Sequence, residues 1–181
     1  MTSGVRVGVI GMGKAGPAIA SAMRASGAQI VGVAARSDAA RVRADALLPG
    51  VPVIEADQVA REAEILFLAV PDSKVTPLTE GLVERGSIRP GMVVVHLCGA
   101  AGINPLAAPT QIGAIPLALH PAMTFSGTSL DVRRLSGCPI AYTAPALAEP
   151  IALALIEYLG GVPLPVAEDD RTLYHAGLTH S

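Results

Sequence analysis

Residues 5–16 of the chain read VRVGVIGMGKAG. The apolar run that ends before Gly11 predicts a buried strand, and the helical spacing of Ile19 and Met23 predicts a helix directly after Gly16. The three glycines of Gly-x-Gly-x-x-Gly therefore occupy a short loop between a strand and a helix. This is the context in which the motif binds a dinucleotide, and a purely structural turn is the alternative.

Each glycine of the loop has its own physical reason. Gly11 permits the tight turn that leaves the strand, and Gly13 lets a pyrophosphate approach the backbone because it has no side chain. Gly16 allows the helix to pack closely against the sheet. The free N–H groups and the positive dipole at the start of the helix would face the phosphates, so the pattern favours a dinucleotide site.

The composition is that of an apolar and weakly charged protein. The 181 residues are 51% hydrophobic and 15% charged, with a mean hydropathy of +0.50 and a formal net charge of −2. Strands of parallel sheets, buried on both faces, produce such continuous apolar runs. The net charge gives no reason to expect nucleic acid or a membrane as partner, and the 3% aromatic content removes the usual platform for stacking bases.

Targeting signals and cysteines both favour a cytoplasmic protein. The N-terminus leads straight into the first strand, without the charged and apolar regions of a signal peptide. Residues 90–130 lack Asp, Glu, Lys and Arg, but prolines interrupt them well short of the roughly 20 helical residues of a membrane span. Cys98 and Cys138 are too few for a disulfide framework or a zinc site, so a reducing compartment is expected.

The second apolar run, at residues 29–35, predicts a strand that ends at Arg36 and Ser37, about 20 residues after the glycine loop. A site for NAD usually has an acid here to bind the ribose hydroxyls, whereas this chain has a guanidinium and a hydroxyl. Arg36 and Ser37 therefore indicate a 2′-phosphate and hence NADP(H). Alternatively, Arg36 is solvated and Ser37 caps the next helix, predicted over residues 38–48.

Further apolar runs alternate with helical patterns along the chain. A weak strand is predicted at 51–54, and Pro116, within the strand predicted at 113–119, indicates an edge position or a local break. The remaining predicted strands are 65–70, 92–97, 138–143 and 162–166, and the remaining predicted helices are 56–62, 72–84, 104–110 and 146–159. This alternation predicts an α/β fold with a doubly wound, mainly parallel sheet.

Ligands of doubly wound sheets lie beyond the carboxyl ends of the strands. Val70 and Pro71 end one predicted strand and are expected beside the ribose and nicotinamide of the cofactor, whereas Asp72 or Ser73 is expected to cap the following helix. His120 ends another strand, and we predict that it is an acid/base or a substrate-binding residue. A structural histidine in a proline turn is the alternative for His120.

The segment that follows the strand at 92–97 is rich in small residues, among them Cys98 and Gly99, which would let a ligand approach. His96 is as consistent with a buried core histidine as with a site residue. Cys98 has no charged neighbour in sequence that would lower its pKa, so a buried and inert thiol is expected.

The last residues predict the beginning of another helix. Residues 168–171 read EDDR, which places three acids in a first turn. We therefore divide the chain into a dinucleotide-binding domain at residues 1–167 and, at residues 168–181, the first turns of a C-terminal helical domain that is otherwise missing.

Taken together, these segments resemble the NADP-binding Rossmann domains of the 6-phosphogluconate dehydrogenase-like superfamily. That group includes pyrroline-5-carboxylate reductases, deazaflavin-dependent NADP reductases and prephenate dehydrogenases. The chain is most similar to oxidoreductases of unassigned substrate that join such a domain to a C-terminal helical domain of unknown function. The segments that carry the resemblance are VGVIGMGKAG at 7–16, AARS at 34–37, FLAVPD at 67–72, HLCGAAG at 96–102, LHPAMTF at 119–125 and DDRTLYHAG at 169–177.

The resemblance implies an NADP(H) cofactor, a small-molecule substrate and, where the helical domain is present, a homodimer. The His-Pro-Ala-Met run is similar to the His-Pro-Met run of prephenate dehydrogenases, which implies a role for His120 toward the substrate. No metal ligand is expected. The predicted cofactor-binding residues are Gly11, Met12, Gly13, Lys14, Ala15, Gly16, Arg36, Ser37, Val70, Pro71, Cys98 and Gly99.

The leading functional hypothesis is an NADP-dependent oxidoreductase that transfers hydride between the nicotinamide and a carbonyl or imine carbon. A nucleotide-binding or sensing module without catalysis is the second hypothesis, because no carboxylate lies close to a histidine in sequence. A methyltransferase that uses S-adenosylmethionine ranks third, because such a site usually has an acid at the end of the second strand.

Overall fold

Seven strands form one sheet in the computed structural model, which describes residues 4–179. The strands are β1 (Arg6–Ile10), β2 (Gln29–Ala34), β3 (Ile65–Leu68), β4 (Val93–His96), β5 (Ile115–Pro121), β6 (Pro139–Thr143) and β7 (Val162–Pro165). The α-helices are α1 (Ala15–Ala25), α2 (Asp38–Leu47), α3 (Ala56–Glu62), α4 (Asp72–Glu84), α5 (Ala107–Gln111), α6 (Leu130–Leu135), α7 (Glu149–Leu159) and α8 (Arg171–Thr179). The sheet order is β2-β1-β3-β4-β5-β6-β7, parallel except for the β5–β6 pair, so the predicted fold class is confirmed.

The continuous apolar runs of the strands are explained by two hydrophobic clusters, one on each face of the sheet. Phe67 of β3 shares a cluster with Val95 of β4, whereas Leu66 and Leu68 of β3 lie in the other cluster with Val94. All five side chains are 0% exposed. Because successive strand residues face opposite sides, a strand that is covered on both faces must be apolar at every position.

The weak strand predicted at 51–54 is wrong. Val53 alone takes part in the sheet, through an isolated bridge with Val33 of β2. Two hydrogen bonds, from Val33 N to Pro52 O at 3.0 Å and from Ile54 N to Val33 O at 2.9 Å, hold the segment beside β2. Pro52 has no N–H with which to extend a ladder, so the pairing stops after one bridge.

The edge position predicted from Pro116 is also wrong, because β5 lies between β4 and β6. The backbone shows why a proline is tolerated there. Ile115 donates its N–H to Met92 O at 2.8 Å on the β4 side, so the nitrogen of Pro116 faces the β6 side. Pairing with β6 begins only at Ala118, and that nitrogen therefore has no ladder hydrogen bond to lose.

Helix α4 begins at the predicted residue, but its predicted side-chain cap is wrong. Pro71 occupies the N-cap position, and neither Asp72 nor Ser73 accepts a capping hydrogen bond. With 13 residues α4 is the longest helix among residues 4–179, and it is shorter than the roughly 20 residues of a membrane span. No helix within residues 4–179 is both long and apolar enough to cross a membrane.

The topology creates one crevice at the carboxyl ends of the central strands. From β1 the chain passes to β2 on one side, and it later returns to β3 on the other side of β1. The connections therefore diverge at this point, which is where ligands bind in doubly wound sheets. The glycine loop 11–16 follows β1, residues 69–71 follow β3, and residues 97–102 follow β4.

Candidate cofactor and substrate site

Two of the three glycines of the loop motif are required by the fold, and one is not. The helix α1 begins at Ala15, so Gly16 lies in its first turn and not directly before the helix as predicted. Gly11 has a φ of +103°, and a Cβ at this position would strike the carbonyl oxygen of Ala69. A Cβ on Gly16 would strike the carbonyl oxygen of Gly11. A Cβ on Gly13, by contrast, would meet nothing within 4 Å. The open space at Gly13 is what the approach of a pyrophosphate requires.

Helix α1 begins after this loop with unsatisfied N–H groups. Lys14 occupies the N-cap position, no side chain caps the helix, and no acid lies in the first turn. The first N–H groups and the helix dipole therefore form a site suited to an anion. Lys14 is exposed, whereas the side chain of Met12 is 1% exposed and packs in the core. Met12 can therefore offer a ligand only its backbone.

Arg43 of α2 adds a cation that sequence reasoning missed. Its Nε donates to the carbonyl oxygens of Met12 at 3.2 Å and of Gly13 at 3.1 Å. These bonds tie α2 to the glycine loop and place a half-buried guanidinium beside it. No local signal marks Arg43, because the contact joins residues 30 positions apart.

A turn after β5 packs against the same loop. The Cβ position of Gly127 lies 3.4 Å from Cγ of Lys14 and 3.6 Å from Cδ of Arg43. Asp131 is 0% exposed and accepts hydrogen bonds from the N–H groups of Ser126 at 2.9 Å and of Gly127 at 2.8 Å. Burial alone would raise the pKa of Asp131, but the hydrogen bonds outweigh it and hold that pKa below its ordinary value. An ionised carboxylate therefore fixes this turn.

Arg36 and Ser37 lie at the carboxyl end of β2, as predicted. Oγ of Ser37 accepts a hydrogen bond from the N–H of Ala40 at 3.1 Å, so Ser37 caps α2 and that interpretation is confirmed. Arg36 is exposed and makes no hydrogen bond or ion pair with any residue that the structure describes. Its guanidinium is therefore free to meet a ligand at this end of the sheet.

The residues that follow β3 and β4 border the crevice. Cγ1 of Val70 lies 3.2 Å from the Cβ position of Gly11, so the end of β3 contacts the glycine loop, and Pro71 is exposed beside it. Cys98 is buried, and burial together with the neighbouring Asp72 carboxylate raises the pKa of its thiol. This agrees with the expectation of an inert cysteine.

His96 is a core histidine with both ring nitrogens in use. It is 0% exposed, its Nδ1 accepts the N–H of Cys98 at 3.0 Å, and its Nε2 lies 2.5 Å from Gly102 O. Because Nδ1 is an acceptor, the ring proton is on Nε2 and donates to Gly102. Burial lowers the pKa of His96 and keeps it neutral. Of the two interpretations that the sequence left open, the structural one holds.

His120 lies at the end of β5 and is contacted by α8. Its Nδ1 is 2.9 Å from the hydroxyl of Tyr174, and the two rings meet edge to face with centroids 5.7 Å apart. The ring of His175 lies edge-on to His120 at 6.3 Å. The Cβ position of Gly99 is 2.6 Å from Nδ1 of His175 and 3.0 Å from Nε2 of His120. Gly99 therefore lets α8 pack against the end of β4.

Arg171 fastens α8 to the sheet. It is 1% exposed, its Nε donates to Oγ1 of Thr143 at 2.7 Å, and its Nη2 donates to Ala118 O at 2.9 Å. Nη1 reaches the carbonyl oxygens of Cys98 and Gly99 at 3.4 Å. No carboxylate pairs with Arg171 among the residues that the structure describes, so this buried cation is held by carbonyl dipoles and one hydroxyl.

A helix does begin within the predicted segment 168–171, but the three acids predicted for its first turn form a separate 3-10 turn, Glu168–Asp170, and α8 begins at Arg171. This segment also supplies residues that sequence reasoning missed. Glu168 accepts the N–H groups of Gly102 at 3.1 Å and of Ile103 at 2.7 Å, and thereby ties α8 to the loop after β4. The functional roles of Arg171, Tyr174 and His175 were missed. Their spacing of three and four residues, which places them on one face of a helix, was the signal in the sequence.

Burial and the neighbouring charges keep the imidazole of His120 neutral. Burial, assisted by the positive charge of Arg171 and by His175, lowers the pKa of His120 to about 4. The imidazole is therefore uncharged near pH 7. It can donate or accept a hydrogen bond there, but it is not present as an imidazolium acid.

Comparison with known proteins agrees with this geometry. Residues 2–121 match a family model described as the Rossmann-like domain. Since this match covers more than half of the sequence, the chain belongs to the family of Rossmann-like domains.

Three known proteins illustrate the similarity. A protein of Bacteroides fragilis described as an NADP oxidoreductase has a TM-score of 0.80 at 19% identity, over 98% of this chain and 66% of its own. Prephenate dehydrogenase of Aquifex aeolicus, solved with hydroxyphenyl propionate and NAD+, has a TM-score of 0.74 at 17% identity. The match covers 94% of this chain and 62% of that protein. The 1-deoxy-D-xylulose 5-phosphate reductoisomerase of Thermomicrobium roseum is 33% identical over 105 residues, or 56% of this chain and 27% of that protein.

These comparisons confirm the fold that the resemblance predicted, including the likeness to a prephenate dehydrogenase. At 17% and 19% identity they concern the fold alone. The chain spans less than two thirds of each of these three proteins.

Proposed function

We propose that the protein binds a nicotinamide dinucleotide at the carboxyl ends of β1, β3 and β4 and is an oxidoreductase that prefers NADP(H). The observation that carries the proposal is the glycine loop. Gly13 leaves open space where a Cβ would stand, and the adjoining N-terminus of α1 has neither a capping side chain nor an acid in its first turn. Such a site suits a pyrophosphate, so the residues fit this cofactor.

When bound, the cofactor would donate hydride to the substrate carbon or accept it. The backbone of the glycine loop would hold the diphosphate, and Val70 and Pro71 would border the nicotinamide. His120, at the end of β5, would contact the oxygen or nitrogen of a carbonyl or imine. Because its pKa of about 4 leaves the imidazole neutral near pH 7, His120 would act there as a hydrogen-bond partner.

The preference for NADP(H) rests on the charges around the end of β2. Positions 35–37 hold no acid, the guanidinium of Arg36 is free, and Lys14 and Arg43 lie at the glycine loop. A 2′-phosphate would gain charge-assisted hydrogen bonds from Arg36. The 2′-hydroxyl of NAD(H) would lack its usual carboxylate partner, so we expect NAD(H) to gain less binding free energy at this position than NADP(H).

Titration with NADPH and with NADH, followed by nicotinamide fluorescence, tests the proposal. We expect NADPH to bind about tenfold more tightly or better, since a charge-assisted hydrogen bond contributes about 1.5–3 kcal/mol. Arg36→Ser should weaken NADPH binding and leave NADH binding unchanged. Arg133→Ser, at an exposed arginine of α6, is the matched control. Equal wild-type affinities would refute the preference, and absence of binding would refute the site.

A nucleotide-binding or sensing module without catalysis is the second candidate. The observation that favours it is the environment of His120. Its hydrogen-bond partner is Tyr174, and no carboxylate among the described residues bonds to it, so the usual activating group of a catalytic histidine is absent there.

A substrate screen separates the two candidates. Small ketones, imines and keto acids would be incubated with NADPH, and its oxidation followed. For an oxidoreductase we expect turnover that His120→Ala lowers by about 100-fold, the lower range of what such a group contributes, while Arg133→Ser retains the wild-type rate. Tight NADPH binding without turnover of any substrate would instead favour the sensing module.

A further inference from the structure

The contact between His120 and Tyr174 joins the end of β5 to α8. The phenolic oxygen lies 2.9 Å from Nδ1, and the ring planes cross at 83°. Nε2 makes no hydrogen bond with the residues that the structure describes, and it lies 3.0 Å from the Cβ position of Gly99. One ring nitrogen is thus occupied by α8, and the other is beside the loop that follows β4.

Two arrangements of the protons are compatible with this distance, and they differ in what remains unpaired. If Nδ1–H donated to Tyr174, the phenolic hydrogen and the lone pair of Nε2 would both lack partners in the protein. If the hydroxyl donates to Nδ1, only the Nε2–H lacks one. His120 and Tyr174 are half-buried, and Nε2 of His120 is within reach of water. The second arrangement is favoured because it leaves one group rather than two to be paired by water. It also pairs the better donor, a phenolic O–H, with the better acceptor, an imidazole nitrogen.

We propose that Tyr174 is a positioning residue for His120: its hydroxyl donates to Nδ1, keeps the ring proton on Nε2, and so makes His120 a hydrogen-bond donor to the substrate. The donor role rests on the proposed function. The position of the proton is a property of the protein alone.

This arrangement limits the substrate class. A neutral imidazole that carries Nε2–H donates to an atom with a lone pair, which is the oxygen of an aldehyde or ketone or the nitrogen of a neutral imine. A protonated iminium nitrogen has no lone pair to accept that bond. In carbonyl reduction a bound reduced nicotinamide would supply the hydride and be oxidised. As the hydride bonds to the carbonyl carbon, the π electrons would move to oxygen. The Nε2–H stabilises this negative charge, and water supplies the proton that completes the alcohol.

The groups around His120 support a neutral donor. The charged and titratable groups that act on its pKa are Arg171 and His175 of α8, Asp72 of α4 and His96 of β4, and Tyr174 of α8 bonds to it. Burial has the largest effect on the pKa of His120, and Arg171 has the largest effect among the charges. The opposing carboxylate of Asp72 is outweighed, so a second proton is not retained near pH 7.

The tautomer of His120 is the test, read at pH 7 from nitrogen-15 correlation spectra of the imidazole ring and assigned with His120→Asn. We expect the Nε2–H form in the wild-type protein. Tyr174→Phe removes the donor to Nδ1 and should produce a mixture of both neutral tautomers. Tyr158→Phe is the matched control, because Tyr158 is 39% exposed on α7, and it should retain the wild-type pattern.

An Nδ1–H form in the wild-type protein would overturn the proposal, and so would an unchanged pattern in folded Tyr174→Phe. If Tyr174→Phe does not fold, the wild-type tautomer alone decides. These spectra need neither coenzyme nor substrate, so a failure to bind NADPH would refute the proposed function without altering this result. In turnover, His120→Ala should slow the reduction of a ketone at least about tenfold more than the reduction of a permanently charged iminium analogue, which cannot accept the Nε2–H bond. Equal slowing of both substrates would overturn the donor role.

Discussion

Replacing Arg171 by leucine is expected to lower the free energy of unfolding by about 3 kcal/mol. The guanidinium donates to Thr143 at 2.7 Å and to Ala118 at 2.9 Å in a site that is 1% exposed. Leucine would leave these acceptors unpaired where water does not reach, at about 1–3 kcal/mol for each. Removing the cation also relieves its desolvation cost, which keeps the expected loss in the lower half of the summed range of about 2–6 kcal/mol.

Denaturant unfolding at pH 7 measures this difference. Arg133→Leu removes an exposed arginine from α6 and should change the free energy of unfolding by less than about 0.5 kcal/mol. Hydrogen exchange of the α8 amides would show whether the loss is local to that helix. Equal stabilities of the two variants would mean that the bonds of Arg171 make no net contribution.

Gly13→Val is expected to weaken NADPH binding by about 100-fold or more while it changes the free energy of unfolding by less than about 1 kcal/mol. A Cβ at Gly13 meets no protein atom within 4 Å, so the folded chain can accept the new side chain. The isopropyl group would occupy the space through which a pyrophosphate reaches the backbone. Coenzyme titration and denaturant unfolding of the same sample measure the two effects.

Two further glycine variants are controls for Gly13→Val. Gly177→Val, on the exposed part of α8, also enters open space and should leave NADPH binding unchanged. Gly16→Val would drive a side chain into the carbonyl oxygen of Gly11, so it should lose stability as well as binding. Wild-type affinity in Gly13→Val would show that the diphosphate does not cross the loop at this point.

The strand, glycine loop and helix at the start of the chain were predictable because their determinants are local. The apolar run of β1, the spacing of the glycines and the helical period of α1 all lie within residues 5–25. The mainly parallel sheet was predictable for a similar reason, since strands that are covered on both faces leave runs without polar positions.

Long-range contacts were not predictable in this way. Arg43 meets the glycine loop across 30 positions, and Arg171 meets Ala118 across 53. Arg43 is part of no local motif. Arg171 lies in the segment DDRTLYHAG at 169–177, but that segment does not indicate which distant residues Arg171 contacts. A solvated arginine could occupy either position in the sequence. Pro116 was misplaced because its tolerance depends on where β6 begins to pair, and sheet order and register are not encoded in any one segment.

One turn of α8 both attaches the helix to the sheet and contacts His120. Arg171, which attaches the helix to β5, β6 and the loop after β4, is followed after three residues by Tyr174, which bonds to His120. A rigid shift of the helix would therefore disturb both contacts together. A ligand that binds better to one conformation of His120 must, by linkage, also change the free energy with which α8 packs on the sheet. Equally, any factor that weakens the packing of α8 changes the affinity for that ligand by the same factor.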